Sequence, residues 1–322
     1  MKTNILFRIA IFAACTTVAI ACKKDQSSSN SDTSAASVQT AADDQTMVSN
    51  ESDAVSNDAT GAVSSQSNTA GLSIEGTKSG SSTLGVDPLI PCDATISFDT
   101  TTDARTVTIT YNGANCWGNR TRTGTVVISI PKGVHWKDVG ATITLDVNLT
   151  VSRKRDGKAI AIKGQKTITN TTGGLLIDLA NIGTVTHDIS AAFTITYPNG
   201  TTRTWNTAKH RVFTYNNGIV LTTTGTHNDG TNGDVAEWGT NRFGVAFESR
   251  ISVPKVIAQS CDFRLTAGEN TITRGDNITS VIDYGLDQNG NATSCPGTGY
   301  YYAKLVWSNS ATGKTYTFIF PY

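Results

Sequence analysis

The sequence predicts an all-β fold: a long antiparallel meander sheet, curved or rolled, following a disordered N-terminal tether. Three observations predict it. From Pro88 to Tyr322 the chain carries 16 Val, 20 Ile and 41 Thr, about a third of that stretch, against ten Leu and no Met. β-Branched residues favour strands, whereas Leu, Met, Ala, Glu and Lys favour helices. Several runs alternate polar and apolar residues. Asx-Gly and Gly-Gly pairs then punctuate the chain at short intervals.

The first element is an address. Lys2 and Arg8 precede an apolar run, Ile9 to Ala21, interrupted only by Thr16 and Thr17. The run is short of the ~20 residues of a membrane span and fits the apolar region of a secretory signal, residues 1–21. It ends Ala19-Ile20-Ala21-Cys22, which resembles a bacterial lipobox with Ala19 in place of the usual Leu. That resemblance implies cleavage before Cys22 and lipidation of its sulfur. Each buried CH₂ of attached lipid contributes ~0.8 kcal/mol, and stable anchoring takes two signals, such as two chains.

Residues 22–87 form the second element. The stretch 23–87 has no Phe, Tyr or Trp, and nine acids stand against three Lys, a net charge of −6. It offers little apolar surface to offset chain entropy, so a disordered linker is expected. As a flexible coil it would span ~45 Å root mean square.

Residues 88–322 form the third element, the β domain, with a sub-boundary near residue 254 where a run ends at Pro254. Arg105–Tyr111, Ala141–Val151 and Ala192–Tyr197 alternate with period two. Such a strand packs one face and wets the other. Asn112-Gly113, Asp156-Gly157, Gly173-Gly174, Asn199-Gly200, Asn217-Gly218, Asn232-Gly233, Asn289-Gly290 and Thr312-Gly313 mark the turns, because Asx-Gly supplies the positive φ of tight hairpins. A dozen strands or more follow. Barrel and sandwich remain open alternatives.

Four cysteines fall in this domain, and an even set outside the cytoplasm reads as disulfides. Three connectivities exist. Cys92–Cys116 and Cys261–Cys295 are preferred because each pair brackets local hairpins.

Chemistry is sparse. Lys+Arg and Asp+Glu number 26 each, which excludes nucleic-acid binding through bulk charge. The histidines, at 135, 187, 210 and 227, lack metal-ligand spacing. No G-x-S-x-G or phosphate loop occurs in the domain. A non-enzymatic protein without a cofactor is expected. Asp287, Asn289 and Asn291 place oxygens at alternate positions, as calcium loops do, but Ala292 replaces the expected Gly and the distal Glu is missing. Asp229, Asn232 and Asp234 form a second incomplete loop. Asx-Gly turns account for both without an ion. Arg153-Lys154-Arg155 with Lys158 is a basic turn that either meets an anionic headgroup or glycan, or stays solvated. Trp117, Trp238 and Tyr301 are the aromatic candidates for stacking on a sugar.

The order Cys116…Arg120-Thr-Arg-Thr-Gly124, Ile168-Thr-Asn-Thr-Thr172, Tyr197-Pro-Asn-Gly-Thr-Thr-Arg-Thr-Trp205, Gly239-Thr-Asn-Arg242-Phe-Gly244, Cys261, Ile282-Asp-Tyr-Gly285 and Cys295 resembles a group of uncharacterised β-rich outer-membrane lipoproteins of Bacteroidetes. The resemblance spans most of 92–307 and brings no catalytic residues. It implies an outer-membrane protein held by lipid on Cys22, on either the periplasmic or the surface face. Its role would be binding or structural, with a glycan or an envelope protein as partner. The alternatives are a glycan-binding accessory module and a secreted hydrolase.

Overall fold

The computed structural model describes residues 35–65, 91–99, 105–230, 233–297 and 299–322. Cys22 and Asn232 lie outside them. The described chain comprises one long helix and one large antiparallel sheet. Helix α1 spans Ala35–Ser64. The strands are β1 (Ala94–Asp99), β2 (Arg105–Ala114), β3 (Arg120–Ile130), β4 (Ala141–Arg153), β5 (Ala159–Asn170), β6 (Thr184–Thr196), β7 (Thr202–Tyr215), β8 (Ile219–Gly225), β9 (Val235–Thr240), β10 (Ala246–Ala258), β11 (Arg264–Arg274), β12 (Ile278–Leu286), β13 (Tyr302–Asn309) and β14 (Lys314–Pro321). Among the described residues no helix is long and apolar enough to cross a membrane.

The strands pair in sequence order, as short hairpin turns require. β8 and β9 share one lane: each pairs with a different end of β7 and of β10. The order starts at β1 and stops at β14, which do not pair among the described residues. The sheet is therefore not a closed barrel. It curls instead. Gly124 (φ 120°) and Gly164 (φ 141°) sit inside strands where an added Cβ would lie 2.2 Å from a carbonyl oxygen of the next strand. Only glycine permits that approach, and such sites let a sheet bend.

Alternation sets the faces as expected. On β4, Ala141, Ile143, Leu145, Val147, Leu149 and Val151 are buried, and the intervening Thr, Asp and Asn side chains point outward. Pro254 does not mark a domain boundary. It lies within β10 at a shift of register between Val253 and Val256, where a residue lacking an N–H is tolerated.

The expected disorder of 22–87 is corrected over Ala35–Ser64, which is a helix buried by the sheet. Asp44 to Ser49, six consecutive residues, are all buried. Six residues exceed a turn of about 3.6, so protein surrounds the helix on every side there. The physical reason is charge and size rather than apolarity. The helix carries Asp43, Asp44, Glu51, Asp53 and Asp58 with no Lys or Arg. Its Ala, Ser, Thr and Gly side chains admit close strands, while Val48, Val55, Ala59 and Val63 join the sheet's apolar core.

Both preferred disulfides are present. Cys92–Cys116 has a Cα separation of 5.3 Å and ties the segment before β1 to the β2–β3 turn. Cys261–Cys295, at 5.2 Å, ties the β10–β11 connection to the segment before β13.

Candidate functional site

The concave face of the sheet is lined with buried cations, and α1 supplies their anions. Arg122 of β3 forms a bidentate pair with Asp93 (2.7 and 2.6 Å) and reaches Asp58 of α1 at 2.8 Å. Its guanidinium lies 4.3 Å from the Tyr111 ring centroid, and the Tyr111 hydroxyl donates to the same Asp58 carboxylate. Burial raises the Asp58 pKa against the pull of Arg122. Lys209 of β7 lies 3.0 Å from Asp53 and 2.8 Å from Glu237. Burial would lift the Asp53 carboxyl, yet Lys209, Arg211, Lys255 and Lys166 together hold it at about 2. Gln45 and Ser49 of α1 donate to Glu237.

Among the described residues, Lys166 and His187 are buried without a carboxylate contact. The Lys166 ammonium donates to the Ser52 carbonyl (2.5 Å) and to the hydroxyls of Ser52 and Ser56. Burial pushes its pKa well below the usual lysine range. His187 is fully buried between Trp136 and Phe213, at 5.0 and 4.8 Å between centroids, and neither ring nitrogen has a partner. Burial, with the Arg211 charge beside it, lowers its pKa to about 3.

The basic turn at 153–158 meets an anion of the chain itself. Arg153 (2.7 Å), Arg155 (3.1 Å) and Lys158 (2.5 Å) converge on Asp43 of α1. Arg153 and Lys158 outweigh burial and hold Asp43 at about 2. At the next residue, Asp44, Arg242 contributes a charge-assisted bond of 2.7 Å. Composition gave no signal for these pairings, because both partners read as surface residues.

A cavity opens beside this network, with a volume of about 170 Å³. Asn50, Asp53 and Asp58 of α1 form one wall. Pro91, just before β1, and Tyr322, just after β14, both line it, as does the β2–β3 turn. The cavity thus lies in the seam of the unclosed sheet. Tyr322 is fixed there: its hydroxyl donates to the Leu265 carbonyl (2.8 Å) and accepts from the Gly285 amide (2.9 Å).

Of the three aromatic candidates, only Trp117 lines the cavity, with 46% of its surface exposed. Tyr301 is buried, stacked on Tyr322 and covered by Arg264. Trp238 sits on β9 against His227, 4.0 Å between centroids. The three do not form a strip.

The calcium loops are closed on themselves. Asp287 accepts from the amides of Asn289 (2.8 Å) and Asn291 (2.9 Å), an Asx turn. Asp229 pairs with Arg250, which also approaches Asp234 at 3.5 Å. Among the described residues no group of His, Cys, Asp or Glu is arranged to hold a metal.

Comparison with family models, curated proteins and solved structures gives no match to this chain.

Proposed function

We propose that the chain is a non-enzymatic lipoprotein of the bacterial outer membrane, anchored through Cys22, whose folded body binds a small polar ligand in the seam cavity. The observation that carries the reading is Trp117, a large exposed aromatic on the rim of a cavity whose wall combines Asn, Asp and Arg side chains with Pro91, Ile257, Phe263, Leu265 and Tyr322. A concave site with an aromatic surface and a few fixed polar groups is the usual form of a ligand pocket. The cavity carboxylates support binding over catalysis. Asp53 is held by Lys209 and Asp58 by Arg122 and Tyr111.

Two experiments test the two halves. Palmitate should label wild-type cells and not the Cys22→Ser variant, and an unlabelled wild type would remove the anchor. A thermal-shift screen of polar small molecules should find compounds that raise the Tm of wild type and not of Trp117→Ala. Compounds acting equally on both, or none acting, would contradict binding at the cavity.

A further inference from the structure

The cavity holds a mismatch in hydrogen bonding that points to the chemical class of its ligand. Asn115 is buried in the cavity wall. Its Oδ1 accepts from the amides of Asn119 (3.1 Å) and Arg120 (3.2 Å), which fixes the side chain at the start of the β2–β3 turn. Its Nδ2 donor has no partner. Four residues on in the same turn, the Asn119 Oδ1 acceptor also has none. Buried polar groups are overwhelmingly paired, and an orphan costs free energy until something meets it. One unmatched donor and one unmatched acceptor on the same turn fit a hydroxyl, which both accepts and donates.

The charges at the cavity argue against an ionic ligand. Arg120 lies 3.2 Å from Glu51, Arg122 is held by Asp93 and Asp58, and Arg264 donates to the carbonyls of Gly297 and Gly299. With the cations engaged, an added charge would be desolvated without compensation. Trp117 contributes a flat apolar face next to the two amides.

Resting on the binding role proposed above, we infer that the seam cavity takes a neutral sugar ring, its apolar face on Trp117 and a hydroxyl between Asn115 and Asn119. The test titrates the mature protein with neutral monosaccharides (galactose, mannose, N-acetylglucosamine) and with charged ones (glucuronate, glucose 6-phosphate). Shielding of Trp117 from acrylamide quenching is the readout. At least one neutral sugar should shield it, and the charged sugars should not. Trp117→Ala removes the reporter as well as the stacking face, so affinity there is read by saturation-transfer NMR. Asn115→Asp keeps the acceptor that fixes the turn and deletes the donor, so the turn keeps its brace. Each substitution should weaken binding about tenfold or more, and Trp117→Phe should restore most of the Trp117→Ala loss. Binding of neutral sugars unchanged in Trp117→Ala and Asn115→Asp would overturn the inference. Shielding by charged sugars alone would overturn the ligand class while leaving a binding cavity. No shielding by any probe would overturn both.

Discussion

Asp53 on α1 and Lys209 on β7 meet at 3.0 Å with both side chains buried, although 156 residues of sequence separate them. The same ammonium reaches Glu237 at 2.8 Å. A helix with little apolar surface is thus held inside a sheet by paired charges. Breaking a buried pair by removing one partner leaves an uncompensated charge.

Asp53→Ala should therefore cost about 3 kcal/mol of stability, at the lower end for such pairs because Glu237 still serves Lys209. Urea denaturation measures it. The double variant Asp53→Leu with Lys209→Met should lose less than the sum of its single variants.

Lys166 behaves in the opposite sense. Its buried amine donates to Ser52 and Ser56, and burial disfavours its charge by more than the nearby Asp53 and Glu237 favour it. Lys166→Met keeps the volume and removes the desolvation. It should leave Tm unchanged or raise it, and a fall of several degrees would show that the ammonium contributes net stability.

Acid should unfold the protein in two stages. Burial holds the folded-state pKa of His187 at about 3, against the ordinary histidine value of 6.5. Between those values the unfolded chain binds a proton that the folded one excludes, so stability falls as pH drops below about 6.5. Asp43 and Asp53, held at about 2 from 3.8, add a further loss below about 4. Asp58, raised by burial, offsets part of that second loss. His187→Leu should flatten the upper stage and leave the lower one, as read from urea midpoints across pH.

Cys92–Cys116 closes a 24-residue separation next to the cavity. Replacing both with Ser should cost about 2–4 kcal/mol in the usual range for a disulfide. Because the bridge anchors the turn bearing Trp117, acrylamide should also reach that indole more readily in the variant.

The sheet was legible in the sequence because its signals are local. Period-two alternation at Ala141–Val151 and the Asx-Gly turn at Asn199-Gly200 each act within a few residues. The paired cysteines were legible because each bracketed a hairpin. The helix was hidden because its reason to fold lies elsewhere. Asp43 needs Arg153, Arg155 and Lys158, more than 100 residues downstream, and acids without apolar neighbours read as disorder. Trp117 was legible as an aromatic candidate for stacking, whereas Asn115 and Asn119 carried no sign in composition. Their unmatched atoms exist only once the turn is folded against the seam.

The most direct test is hydrogen exchange of the amides of Ala35–Ser64 in the mature protein at neutral pH. Docking of the acidic helix predicts that amides from Asp44 to Ala59 exchange as slowly as those of β4 and β7. Exchange at unfolded-chain rates over that segment, with the strands protected, would contradict it.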